Sequence, residues 1–486
     1  MGNAANKGPV RMSTFYWQVY ALVARACSDE VPMSAQFPGY SLSFVQSMLT
    51  EQSGRASGWF KDLELHTVFQ PAFSLPHKKA VGFQANLRGA GEDGSVVEPA
   101  VMFGSVDNFS ETCLLDLLGA TMHVHNFASS RNSRGLLFLN LHPEVFLDYA
   151  HSAQFLGALF GHYGIAQHRV VLDIPGYLLK LEQLGETIAA YRALGCLICI
   201  DDLGVEDADL DSVVRNDPDI VKIDHGVVAG AVANESVRKM LLHAVSLLHE
   251  MGTLVLLERL ESEAQALMAI DTDADFASGF YFGPLYDDVG KFDEPGPVLD
   301  SLWDRYKEMR VPDHANGVQS REILDEDTLH SSHIKKMRSA SPGDIHRYRD
   351  ERRPFIAAIR RADALMEQGT DFELACGDFF HIDGAIRCFL LGSDGGQIGA
   401  ELSATDAPPP QAADLSGLIE HVGGDWSRRD FFRRALQEPE VVQVTRRYRS
   451  LNGYAHCVTF SIATTVEGKP VVICGDADWS THASIH

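Results

Sequence analysis

The 486-residue chain predicts an α/β protein, a (β/α)8 TIM-like barrel followed by a smaller α+β domain. Three observations carry this expectation. Between about 58 and 288, eight short apolar runs alternate with segments of helical period, the pattern of a parallel barrel. Several of those runs end on an isolated polar residue, where barrels and open α/β sheets place their ligand chemistry. Beyond about 345 the pattern changes to short strands joined by hairpin turns.

Taken in order, residues 1–57 read as a helical extension, with helices around 14–26 and 42–52. The barrel, 58–288, has strands at Glu64–Ser74, Val81–Arg88, Leu136–His142, Val170–Pro175, Leu197–Asp202, Ile220–Asp224, Leu254–Arg259 and Phe276–Phe282. Helical segments such as Leu178–Leu194 and Ser236–Met251 lie between them. Residues 289–344 are polar and helical and read as a connector, broken at Ser341-Pro342. The last domain, 345–486, opens with an amphipathic helix over Pro354–Glu367. Pro354 suits its first turn, and Phe355, Ile359, Ala362 and Met366 form one apolar stripe. Strands follow at Phe389–Leu391, Val441–Thr445, Cys457–Thr464 and Val471–Gly475. Ser393-Asp394-Gly395 and Leu451-Asn452-Gly453 are turns, and Pro408-Pro409-Pro410 is a loop.

Composition narrows the function. A net charge of −25 argues against DNA or RNA binding and against an anionic membrane surface, leaving metal ions or a small anion held by a few placed cations. No run reaches transmembrane length, and Phe15–Ala26 is interrupted by Gln18 and Arg25, against a signal peptide. The eight cysteines are scattered. Cys199 of the Cys196/Cys199 pair lies inside an apolar strand, so core thiols of a cytoplasmic protein are expected.

The chemistry gathers at the strand ends. The run Leu197–Ile200 stops on Asp201 and Asp202, then Gly204. Strand residues alternate faces, so both carboxylates cannot enter one core. A helix cap with a solvated neighbour is the alternative reading. Asn140, Asp173, Lys222 and Glu258 stand at or near the ends of four other strands. Each alone is as well explained by a turn, a cap or a snorkelling lysine; the set together is not. Carboxylate and amide oxygens suit Mg²⁺ or Mn²⁺. Two such ions sharing an aspartate would clamp a phosphodiester, with a lysine beside the attacking water.

These segments resemble, in order, the EAL domain, the cyclic di-GMP phosphodiesterase family. Val68–Pro71 resembles its "YQP" segment, Val81–Arg88 its "GxEALLR", and Leu139–Leu141 its "VNxS". Leu172–Ile174 is similar to the start of "LEITE", Ile200–Gly204 to "DDFG", and Val221–Asp224 to "KID". Glu258–Glu261 resembles "EGVE" and Gly279–Phe282 resembles "GYYF". The resemblance implies an EAL-type barrel whose first strand runs against the others. It implies a two-metal site on Asn140, Asp173, Asp201, Asp202 and Glu258, Lys222 assisting the nucleophilic water, and Gln70 and Arg88 holding the dinucleotide. If the protein is active, Lys222 and Glu258 are its catalytic residues and Asp202 also meets the ligand.

The departures are as specific. The signature glutamate is Gln84, the leucine of that motif is Asn86, and the second glutamate of "LEITE" is Gly176. The glutamine before "GY" is Ser278, and the loop after Gly204 (Val205–Leu210) has lost its glycine and serines and gained acid. Fewer and misplaced ligands weaken metal binding and misalign a water. The expectation is therefore a degenerate member, a cyclic di-GMP receptor or regulator. The alternatives are a weak Mg²⁺/Mn²⁺-dependent phosphodiesterase releasing pGpG, and a scaffold that binds no nucleotide. The C-terminal domain resembles PAS-like or Cache-like sensor modules, on Asp425–Phe432, Thr445–Arg449 and Cys474–Trp479. Arg428 and Arg429 beside Trp426 read either as holders of an anionic ligand or as surface charges, the second preferred. A homodimer and a protein partner complete the expectations.

Overall fold

The fold is that of a computed structural model, which describes residues 39–130, 135–204, 210–292, 296–310, 342–404, 423–445, 447–448, 450 and 456–479. The helix expected around 14–26, the loop 205–209, Pro408–Pro410 and the Leu451–Gly453 turn lie outside the described residues.

The strands in chain order are β1 Leu49–Gln52, β2 Arg55–Phe60, β3 Leu63–Ser74, β4 Lys79–Ala90, β5 Val96–Val97, β6 Leu136–Asn140, β7 Val170–Pro175, β8 Leu197–Leu203, β9 Ile220–Ile223, β10 Leu254–Leu257 and β11 Phe276–Ser278. Strand β3 pairs with both β4 and β11, which closes β3, β4 and β6–β11 into an eight-stranded barrel. Strand β3 is antiparallel to both neighbours, and the six other junctions are parallel. The first barrel strand thus runs against the rest. The helix expected over 42–52 ends at Ser47, and β1 and β2 form a hairpin that extends the sheet through β3.

Valine, leucine and isoleucine fill the parallel strands because both their faces are covered. Outward residues such as Leu139, Leu172, Ile200, Val221 and Leu257 pack under the helices in one large core. Inward residues Leu136, Phe138, Val171, Cys199, Ile220 and Leu256 fill the barrel floor. Helix starts are specified locally. Asn234 caps Glu235–Glu250 by accepting from the Ser236 and Val237 N–H groups, and Ser262 with Gln265 closes a capping box on Glu263–Asp271. The first helix of the connector, Gly296–Arg310, belongs to the barrel: Leu299, Leu302, Trp303 and Tyr306 join its core, and the Trp303 indole N–H donates to the Leu75 carbonyl at 3.0 Å.

The second domain has strands β12 Ala385–Gly392, β13 Gln397–Ser403, β14 Gln443–Val444, β15 Cys457–Val466 and β16 Lys469–Asp478, in the antiparallel order β13-β12-β16-β15-β14. The Ser393-Asp394-Gly395 turn joins β12 to β13. One helix, Pro342–Glu367, covers one face through Phe355, Ile359, Ala362 and Met366, the stripe read from the sequence. Pro354 lies inside that helix and not in its first turn. A proline there removes one N–H donor, and burial of the stripe immediately after it holds the helix together.

The opposite face lies on the barrel floor. Phe389, Leu391, Trp426, Phe431, Phe432, Val472 and Cys474 form one apolar cluster with the inward floor residues of the barrel. Arg428 and Arg429 are therefore not surface charges. Arg428 donates to the Ile270 and Asp271 carbonyls, and Arg429 pairs with Asp275. Asp425 forms an ion pair with Lys307 at 2.7 Å. The described cysteines are buried free thiols. Among the described residues no helix is long and apolar enough to cross a membrane.

Candidate functional site

The site lies at the barrel end opposite the second domain, where the parallel strands finish. Strand β8 supplies the central pair by breaking its own regularity. Its pairing with β9 shifts between Ile200 and Leu203, and Asp202 has φ +52°. The Asp201 Oδ1 accepts the Asp202 N–H at 2.8 Å, which fixes this bend. Bulges re-aim side chains in this way, so alternation no longer separates the two carboxylates. Asp201 and Asp202 each bring one oxygen into a group with Glu258, all within 4.8 Å of one another. Glu258 follows β10. Its turn is tied to β11, since the Leu260 N–H donates to the Ser278 carbonyl at 3.0 Å and Leu260 accepts Tyr281 at 2.9 Å. The backbone of Gly279 is held so close to Leu260 that a Cβ there would stand 2.2 Å from its nitrogen, which only glycine allows.

Lys222 on β9 is fully buried beneath this group. Its Nζ lies 2.7 Å from Asp173 Oδ2, 3.7 Å from Asp201 Oδ2 and 3.9 Å from Glu258 Oε2, and 5.5 Å from the centre of the Phe138 ring. Burial alone would lower its pKa, but Asp173, Asp201 and Glu258 together hold it well above the ordinary lysine value. Burial pushes Asp173 up to about 6 despite Lys222. Burial, then repulsion from Asp201, pushes Glu258 up to about 8. Among the described residues Asp173 Oδ1, which is buried, has no hydrogen-bond partner.

The other expected residues are placed as follows. Asn140 ends β6, exposed, and is the register partner of Asp173. Gln84 on β4 is half-buried on the barrel wall, opposite Gln70 on β3 and Phe138 on β6. Asn86 donates to the Gln84 carbonyl at 3.4 Å. Arg88, farther along β4, pairs with Glu98 at 3.4 Å and not with the carboxylate group. Gly176 faces the β8 bend: a Cβ there would stand 3.1 Å from the Asp201 carbonyl oxygen. Ser278 is buried at the end of β11. The structure brings together Asp201, Asp202, Glu258, Lys222 and Asp173. Arg259 is the member that sequence reasoning gave no role. Its guanidinium lies 3.1 Å from Glu258 Oε1 and 3.8 Å from Asp202 Oδ1. The available signal was a cationic residue at the position the resembling motif fills with glycine.

Three hard oxygen donors in this spacing fit a divalent cation such as Mg²⁺, Mn²⁺ or Ca²⁺. The family model for the EAL domain matches residues 55–284, from β2 through the last barrel strand β11. Residues 55–284 are an EAL domain. The chain is 29% identical over 149 residues to the EAL-domain containing protein YkuI of Bacillus subtilis, covering 30% of this chain and 37% of YkuI. It is 22% identical over 231 residues to the biofilm architecture maintenance protein MbaA of Vibrio cholerae, covering 46% of this chain and 28% of MbaA. The aligned parts thus span 37% of YkuI and 28% of MbaA, well under two thirds of either relative. Among solved structures, YkuI in complex with cyclic di-GMP and calcium aligns over 86% of this chain and 97% of that one, at 17% identity and a TM-score of 0.47. The EAL domain of FimX from Pseudomonas aeruginosa, bound to cyclic di-GMP, aligns over 47% and 93%, at 18% identity and a TM-score of 0.43.

Proposed function

We propose that this EAL domain binds cyclic di-GMP and hydrolyses it little or not at all, acting as a receptor or regulator. The observation that carries the reading is the shortened ligand set. Asp201, Asp202 and Glu258 converge, while Asp173 is engaged by Lys222 and the wall position on β4 is the neutral Gln84. A bound divalent ion would supply phosphate charge neutralisation and an activated water. Asp201, Asp202 and Glu258 would hold Mg²⁺ or Mn²⁺, with Asn140 and, once released by Lys222, Asp173 as further ligands, and such a site would bind the ion more weakly than one with a full set of anionic ligands.

The remaining roles belong to the chain's own side chains. Gln70 and Arg88 stand on the two strands that close the barrel and contact the dinucleotide. Arg88 exchanges its pairing with the exposed Glu98 for a phosphate oxygen, because a surface ion pair is worth little. Lys222 opposes the effect of burial on Asp173 and Glu258 and aligns them with Asp201. The alternative, a weak phosphodiesterase releasing pGpG, is favoured by the preserved Asp201, Asp202, Lys222 and Glu258. A pure interaction scaffold is disfavoured by the same assembled group. The C-terminal domain, an antiparallel sheet with a long helix on one face, is read as a PAS/Cache-like sensor whose contact with the barrel floor modulates the site. Its own ligand, a homodimer and a protein partner belong to the same reading.

The test is calorimetric titration of the full chain with cyclic di-GMP in Ca²⁺, followed by a hydrolysis assay of the same sample in Mn²⁺. Binding without pGpG release supports the receptor. Multiple turnovers that disappear in Asp201→Ala establish the phosphodiesterase, and no binding at high micromolar ligand leaves the scaffold.

A further inference from the structure

Arg259 is in the wrong place for an ordinary surface arginine. Its backbone has φ +56°, the left-handed region that glycine enters freely and a long side chain rarely does. That conformation follows from the sharp turn between Glu258 and Leu260, whose backbone is pinned to β11 through Ser278 and Tyr281. The turn aims the Arg259 side chain back over the strand ends. Nε then lies 3.1 Å from Glu258 Oε1, and Nη2 3.8 Å from Asp202 Oδ1. Glu258 and Asp202 are two of the three residues whose oxygens lie close enough to share one cation. Lys222 approaches the third, Asp201, from below. Two cations of the chain itself thus reach the carboxylate group, Lys222 at Asp201 and Glu258, and Arg259 at Glu258 and Asp202.

We propose that the Arg259 guanidinium is the resident cation of the Asp201, Asp202 and Glu258 group, held in the position a divalent ion would take. The inference deepens the receptor reading, on which it rests for the identity of the site, and gives a reason for slow turnover. A guanidinium neutralises anions and donates to carboxylate or phosphate oxygens, but it has no coordination position for a water. It polarises no attacking oxygen in the way a metal ion does. A divalent ion entering the group must displace it from Glu258 and work against a positive charge a few ångströms away. Because the guanidinium is more than half exposed, it swings aside when substituted or when a phosphate oxygen offers itself. Cyclic di-GMP binding therefore proceeds without added metal, with Arg259 donating to the ligand.

The experiment uses Mn²⁺ alone as the probe, titrated into the metal-free full chain and followed by the electron paramagnetic resonance signal of the free ion. Wild type, Arg259→Ala, Arg259→Gly and Arg259→Lys are compared. Arg259→Gly relieves the left-handed backbone, and its folding is checked by thermal melting. Arg259→Ala and Arg259→Gly are expected to bind Mn²⁺ about tenfold more tightly than wild type or more, and Arg259→Lys to stay within a few-fold of it, since removing a unit charge this close to the ion has that weight. Equal affinities in wild type, Arg259→Ala and Arg259→Gly overturn the proposal, as does tight Mn²⁺ binding by the wild type. A parallel titration with cyclic di-GMP in EDTA separates the two readings. Stronger Mn²⁺ binding by the variants without dinucleotide binding by any protein sinks the receptor and keeps the resident cation. Dinucleotide binding with unchanged Mn²⁺ affinity does the reverse.

Discussion

At the scale of single residues, the site depends on groups whose charge is set by burial. Asp116, on the helix Phe109–Ala128, stands beside the chain leaving β6. It accepts the His142 N–H at 3.1 Å, two residues beyond Asn140. Burial pushes its pKa from 3.8 to about 7, with the His142 bond opposing. The folded state therefore keeps a proton that the unfolded state has released between about pH 4 and 7. Stability falls as pH rises through that window. Asp116→Asn is expected to flatten this fall, gaining on the order of 1–3 kcal/mol over wild type at pH 8 but little at pH 4, measured by urea unfolding at both values. The residues of the site were legible because polar atoms interrupt apolar runs at Asn140, Asp173, Asp201 and Glu258. The role of Arg259 was not, because a backbone angle and a side-chain direction depend on the turn to β11, far away in sequence.

At the scale of elements, strand β8 shows where period-two reasoning fails. Alternation keeps Asp201 and Asp202 apart, and a bulge with one left-handed residue brings them together. Nothing local announces a bulge, since it is set by pairing with β9. The parallel strands were found because a continuous apolar run is what two covered faces require. Strand β13 was missed because it is an edge strand with an exposed face, Ile398 among its exposed residues. It matters because its Glu401 reaches inward. Arg387 on β12 donates to Asp476 at 2.7 Å and to Glu401 at 2.6 Å, and Asp476 also accepts the Thr459 hydroxyl at 2.6 Å. This network sits inside the second domain, with Arg387 only 4% exposed. Asp476→Ala leaves a buried cation half compensated and is expected to cost about 3 kcal/mol, read from chemical denaturation of the full chain.

At the scale of the whole molecule, the second domain closes the barrel floor while the carboxylates stand at the far end. The contact is apolar at its centre, with Trp426, Phe431 and Phe432, and charged around it, with Arg428 and Arg429 against the barrel's carbonyls and carboxylates and the barrel-side Lys307 against Asp425. The sequence showed these side chains but not their target, because docking is a property of two surfaces. Burial opposes ionisation of Asp275, yet His249 and Arg429 hold its carboxyl well below the usual carboxylate range. Arg429→Ala combined with Trp426→Ala removes both kinds of contact. It is expected to split one calorimetric melting transition into two and to expose the 423–445 segment to protease, whereas one unchanged transition would show that the domains do not support each other. The central claim concerns the opposite end of the barrel, an assembled site that binds without turning over. Its most direct test is chromatography of the nucleotide recovered after the full chain, saturated with cyclic di-GMP and supplied with Mn²⁺, has stood for hours. Intact cyclic dinucleotide with less than one pGpG per protein is the predicted result, and many pGpG per protein would contradict it.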